Sequence, residues 1–134
     1  MDKKLSSYYW VGKISSNIRK IVDFKYTGVV YMNYGVIRHV LKKHKGQLSK
    51  KNLKDTIGCI KMVIKSPDYI GTHPEKLHSS IEFVKYIHDN NILVAVEVDK
   101  EDGYIYVSSM YPITDLKLES RIYSGRVKKV NFKF

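Results

Sequence analysis

Cys59 has no second cysteine to pair with in this chain of 134 residues, which excludes a disulfide framework and a thiolate metal site. It sits inside an apolar helical pattern, so a small buried side chain is the expectation. Long hydrophobic runs are also missing: no stretch approaches the roughly 18 apolar residues of a membrane helix. The opening "MDKKLSSYYW" lacks the apolar segment of a signal peptide, and the chain reads as cytoplasmic with no membrane partner. Glycine fingerprints for phosphate and dinucleotide loops are absent, as is the G-x-S-x-G turn of a serine hydrolase. Acids are scarce, 13 against 24 Lys and Arg, for a formal charge of +11. Carboxylate pairs for metal-dependent hydrolysis are correspondingly few. Glu82 and Glu97 point from neighbouring strands, but surplus lysines are there to pair with them.

The cationic excess argues for a polyanionic partner, because each phosphate neutralised releases condensed counterions. Nucleic acid comes first, an anionic membrane surface second and an acidic protein third. The 11 tyrosines outnumber the single tryptophan and 4 phenylalanines, and tyrosine serves both a half-buried sheet and a nucleotide surface. No repeat or linker divides the chain, so residues 1–134 read as a single domain.

"SYYWVGKI" (7–14) and "YTGVVYMN" (26–33) are strand-like, and "SSNIRKIVDF" between them suits a short helix capped by Ser15 or Ser16. Asn33 is placed to cap a helix over 34–45 that Gly46 terminates. A second helix runs from Ser49 towards Pro67, with Leu53, Ile57, Ile60 and Ile64 on one face. "SPDYIGTHPEK" reads as loop. Strands follow at 80–87, 91–98 and 104–111, joined by turns around Asp89–Asn90 and at Gly103. "ITDLKLESRIYSG" is a short helix or an irregular return, and "RVKKVNFKF" a basic edge strand. The expected fold class is α+β, with N-terminal helices packed on a C-terminal antiparallel sheet of about four strands.

Two stretches carry candidate chemistry. In "RHVLKKH" (38–44), His44 falls within the arc of Val36, Ile37, Val40 and Leu41, while His39 lies outside it. Their five-residue spacing does not suit a metal pair, and no acid or cysteine is near, so no metal is expected. Histidine titrates near neutral pH and suits proton transfer. The plainer alternatives are a helix-end histidine on free carbonyls and an exposed residue of a basic face. In "VSSMYP" (107–112), strict alternation puts Ser109 and Tyr111 on the face of Ile105 and Val107, with Ser108 and Met110 opposite. A hydroxyl and a phenol so spaced can share one phosphate, and Pro112 would end the strand and leave Tyr111 at a rim. His73, His78 and His88 lie in loops or at a strand end without metal-like spacing.

"YWVGKI", "VVYMNYGVIRHVLKKH", "IKSPDYIG", "SIEFVKYI", "NILVAVEVDKEDGYIYVSSMYPI" and "SGRVKK" together resemble the phage-associated nucleases of the Barnase–EndoU–colicin–RelE-like superfamily. That resemblance implies helices followed by an antiparallel sheet, metal-independent RNA cleavage without a cofactor, and a phage, mobile-element or toxin setting. The EndoU branch uses two histidines, a lysine and a Ser/Thr-x-Tyr pair. The resemblance therefore implies His39 and His44, Ser109 and Tyr111, and Lys85 within "SIEFVKYI" as catalytic candidates. Arg121 is a further candidate for charge stabilisation. Lys42, Lys43, Ser108, Arg121, Arg126 and Lys128, with Lys129, would bind substrate, while Tyr104, Tyr106 or Tyr111 stacks a base. The partner is RNA, transfer RNA among the candidates, and a toxin of this kind calls for an acidic immunity or antitoxin protein. The rival reading is a nucleic-acid-binding module on the same fold without chemistry.

Overall fold

The computed structural model describes residues 8–131. At its centre three strands form an antiparallel meander: β4 (Ser80–Ile87), β5 (Asn90–Val98) and β6 (Ile105–Ile113). Ile81 and Phe83, Ile92, Val94, Val96 and Val98, and Ile105 and Val107 bury one face of this meander, as period-two alternation requires. The β4–β5 turn is His88–Asp89, both at positive φ (46° and 71°), so Asn90 belongs to β5 rather than to the turn. Gly103, at φ 78°, closes the loop into β6, as its sequence position suggests.

Four further strands extend this unit. β1 (Tyr8–Ile14) pairs with β2 (Gly28–Asn33), and β3 (Tyr69–Gly71) and β7 (Val127–Lys129) add the far edge. The order is β1-β2-β6-β5-β4-β3-β7 in a seven-stranded sheet, mixed because β2 and β6 run parallel. The expected N-terminal helices on a four-stranded antiparallel sheet are therefore corrected: N-terminal strands build part of a larger mixed sheet. The strands themselves carry a sequence signal, but the β2–β6 pairing rests on Val30↔Ile105 and Tyr31↔Tyr106, far apart in the chain. Periodicity holds no information about such partners. β3 lies inside the segment read as loop, since three residues are too few to show a period.

Helix α1 (Tyr34–His44) starts where expected, with the Asn33 side chain accepting from the Gly35 amide. It ends at His44, where φ −126° and ψ 7° leave α geometry for a 3₁₀ turn over Lys45–Gln47, so Gly46 is not its terminator. The helix expected from Ser49 to Pro67 is two helices, α2 (Lys50–Lys54) and α3 (Thr56–Lys65). Asp55 breaks it at φ −139°, and its carboxylate accepts from the Gly58 amide at 2.9 Å, starting a new helix. Asn52 fixes α2 by donating to Ile87 O and Asn90 Oδ1, both at 2.9 Å. The buried apolar set of α3 becomes Cys59, Ile60, Val63 and Ile64, with Leu53 and Ile57 only half-buried.

These helices cover the apolar face of the sheet, α3 against β1, β4 and β5 and α1 alongside β6. The opposite face carries a smaller cluster of Val84, Leu93, Ile113 and Val127. Helix α4 (Asp115–Tyr123), capped by Thr114, lies there and contributes half-buried Leu118 but no fully buried residue.

Candidate active site

β6 departs from strict alternation. Ala95 pairs with Ser109 but Val96 pairs with Val107, so Ser108 is an extra residue, a β-bulge. Its hydroxyl donates to Ala95 O at 3.2 Å. Beyond the bulge the faces exchange, and Met110 joins the core while Tyr111 packs beside the opposite cluster. Ser109 and Tyr111 thus share a face with each other, as expected, but not with Ile105 and Val107. The strand also continues to Ile113, so Pro112 does not end it.

The β2–β6 pairing then positions α1. β2 lies beside only the start of β6, and α1, which follows β2 directly, runs along the remainder of that edge. The five steps along the strand from Tyr106 to Tyr111 span about 17 Å and the ten steps along the helix from Tyr34 to His44 about 15 Å. The end of α1 therefore comes level with Tyr111. The His44 and Tyr111 ring centroids are 6.2 Å apart and tilted by 31°. His39 and His44 meet edge-on at 6.5 Å despite their spacing, helped by the departure of His44 from helical geometry. A small cleft of about 250 Å³ beside them is lined by Gly35, Val36, His39, Ser108, Ser109 and Met110.

His44 Nδ1 lies 2.8 Å from Gln47 Oε1. An amide oxygen only accepts, so Nδ1 carries a proton and Nε2 is left for a ligand. Gln47 drew no attention in the sequence; its place one turn beyond the histidine is the signal for it.

On the far side of Tyr111 stands a group that sequence reasoning set aside. Glu82, 2% exposed, holds Arg126 through two bonds, Nε–Oε1 at 2.7 Å and Nη2–Oε2 at 2.8 Å. Its hydrogen bond with Glu82 holds the Arg126 guanidinium above its ordinary pKa against the opposing effect of burial, with smaller additions from the charge of Glu82 and from nearby Tyr111. Arg121 reaches in from α4 with Nη1 3.7 Å from Glu82 Oε1, and that nitrogen is buried without a hydrogen-bond partner. Two cations against one carboxylate leave a net positive spot with an unused donor, suited to an oxyanion. Gly71 makes this possible, because a side chain there would collide with the Arg126 backbone. The signal in the sequence was a carboxylate between Ile81 and Phe83 in a central strand.

Other candidates lie elsewhere. Lys85 projects on the core side of β4, donating to Ser66 O at 2.8 Å beside Asp68 at 3.6 Å, and so fastens the end of α3 on the face away from Tyr111. Lys42 and Lys43 are exposed on the last turn of α1. Lys128 is exposed and pairs with core-facing Ile70, so it too points to the other face; Lys129 shares the face of Tyr69 and Tyr111. Tyr106 stays protonated, its pKa raised by burial and then by Glu97 and Asp99. Glu97 itself pairs with Lys76 at 3.1 Å. His78 pairs with Asp23, His73 accepts from the Glu75 amide, and His88 forms the hairpin turn. Among the described residues no three His, Cys, Asp or Glu side chains form a metal-binding group.

The model of the family described as phage-Barnase-EndoU-ColicinE5/D-RelE like nuclease3 matches residues 9–120, and the chain belongs to that family. No curated protein and no solved structure matches.

Proposed function

We propose that this member of a phage-associated nuclease family is an endoribonuclease that cleaves RNA without a metal ion, by attack of the ribose 2′-hydroxyl. The observation that carries the reading is the position of Tyr111, 6.2 Å from His44 on one side and close to Arg126 on the other. Proton-transfer groups and anion-holding groups thereby flank Tyr111 from opposite sides. One histidine takes the 2′-hydroxyl proton as the oxygen bonds to phosphorus, and the other protonates the departing 5′-oxygen, leaving a 2′,3′-cyclic phosphate. Each role is worth roughly 100- to 10,000-fold. Arg121 and Arg126 hold the non-bridging oxygens as charge develops, since two guanidinium groups share the one carboxylate of Glu82. Ser109 and Tyr111 orient the same phosphate. Both oxygens of Glu82 are bonded to Arg126, which withdraws that carboxylate from any metal.

The reading places the protein in the cytoplasm of a cell hosting a phage, mobile element or toxin system, and the +11 charge suits an acidic neutralising protein. The test is incubation of the purified chain with total RNA in excess chelator, beside His39→Ala, His44→Ala and Tyr111→Phe. Discrete products with 2′,3′-cyclic ends, reduced at least 100-fold in each histidine variant, are expected. Cleavage that needs a divalent ion, or that survives both histidine substitutions, overturns the mechanism. RNA binding without cleavage would leave a binding module.

A further inference from the structure

Trp10 is the chain's single tryptophan and is 65% exposed, an unusual position for its largest apolar side chain. It stands on β1, the outer strand of the sheet, where a bulge between Trp10 and Gly12 interrupts the pairing with β2. The indole nitrogen donates to Gly12 O at 2.9 Å, which fixes the ring rather than leaving it free to rotate. Gly12 lets α3 approach closely, since a Cβ there would sit 2.7 Å from Ile64 Cγ2. That approach brings Lys61 and Lys65, one helical turn apart, beside the indole. The result is a groove of about 570 Å³ with an apolar floor of Val11 and Gly12 and a rim of Trp10, Lys13, Lys61 and Lys65. No acidic residue lines it.

We propose that this groove is a second contact for single-stranded nucleic acid, outside the cleavage site. A base stacks on the Trp10 indole while the flanking phosphates lie against Lys61, Lys65 and Lys13. The argument is one of complementarity. A fixed aromatic plane suits any base, since every base has a π-face, and the lysine pair is spaced to follow a backbone. An acidic peptide would satisfy the lysines but has no general use for the exposed ring. The groove lies at the β1 edge, two strands from β6, with Trp10 and Lys13 from β1 and Lys61 and Lys65 from α3. Trp10 pairs with Tyr31 and Tyr31 with Tyr106, so a strand bound at both places must cross the sheet from β1 to β6, and the groove serves long substrates and not short ones. The proposal extends the nuclease reading, but binding here does not require cleavage.

The first experiment is a titration of the full chain with a short 2′-O-methyl oligouridylate, which lacks the attacking hydroxyl, following tryptophan emission. Quenching is expected, with Lys61→Ala/Lys65→Ala weakening binding about tenfold and reducing the log–log salt slope by about 1.4, two single-strand phosphates. Both lysines are exposed on a helix that alanine favours, so this variant keeps the fold. By anisotropy of a labelled oligonucleotide, Trp10→Phe should retain affinity and Trp10→Ala lose it. In cleavage assays Trp10→Ala should raise KM for long RNA and leave a dinucleotide unaffected, whereas His44→Ala lowers kcat on both. Oligonucleotide binding with unchanged emission and unchanged affinity in the lysine variant overturns the proposal. Equal quenching by polyglutamate overturns it too, in favour of an acidic protein surface.

Discussion

The two faces of the sheet are built by different means. Under α3 the face is continuous and apolar, with Ile81, Phe83, Ile92, Val94 and Val96 each at 1% exposure or less. The other face holds Glu82, Ser109, Tyr111 and Arg126, and its covering helix α4 buries no residue completely. Hydrophobic burial organises the first face, at roughly 25 cal/mol per Å² of apolar surface. The second depends on a bulge at Ser108, a glycine at 71 and one buried carboxylate gathering two arginines. Stability and chemistry are thus separable, and substitutions on the two faces should fail in different assays.

The largest effect should come from inserting one alanine between Ser109 and Met110. With the bulge at Ser108 kept, the added residue exchanges the faces of Met110 and Tyr111, so Met110 leaves the core. We expect loss of the cooperative thermal transition, or a folded protein with cleavage below detection because Tyr111 has changed faces. A stable, active insertion variant would mean that the register of β6 is not what sets the two faces. Next is Phe83→Ala, which should cost about 3–5 kcal/mol in urea unfolding through the cavity it leaves. Its activity per folded molecule should be unchanged, since nothing on the Tyr111 face is altered.

Glu82→Gln tests the second face in the opposite sense. It leaves two guanidinium groups facing each other without a counter-charge, partly solvated at 22% and 17% side-chain exposure. A loss of about 2 kcal/mol is expected, less than for a fully buried pair because water reaches both arginines. RNA affinity measured by anisotropy should rise together with its salt dependence, because the face has lost its one internal counter-charge. Falling affinity would show that Glu82 positions the arginines rather than restraining them. Tyr111→Phe should be smaller still in stability, within about 0.5 kcal/mol by urea unfolding.

What the sequence disclosed follows the same division. The meander, the Asn33 cap and the core positions of β4 and β5 were readable because local period and capping chemistry decide them. The grouping of His39, His44, Ser109 and Tyr111 came from resemblance, and no local signal brings α1 to β6. That depends on two parallel pairs, Val30↔Ile105 and Tyr31↔Tyr106. The bulge was not readable either, since "VSSMY" continues an alternating pattern that the chain does not follow. Arginine 121 was marked for its charge, but its meeting with Glu82 needs α4 to fold back over Ala95, a tertiary event.

The finest comparison of the two faces comes from a chemical probe of the apolar one. Cys59 is 4% exposed on the buried side of α3, and burial, with a further contribution from Asp55, pushes its thiol up to about 12. The thiolate is the form that reacts with alkylating reagents, so at neutral pH the folded chain should resist modification. A raised thiol pKa keeps the group neutral throughout the range in which the nuclease would work. Labelling should therefore proceed at the rate at which the core face opens, and should quicken about 100-fold or more in Phe83→Ala as that face loses stability. Glu82→Gln perturbs the other face, and its labelling should quicken only as far as its lower global stability requires. If labelling in Tyr111→Phe accelerated as much as in Phe83→Ala, the two faces would be one cooperative unit and the division between packing and chemistry would not hold.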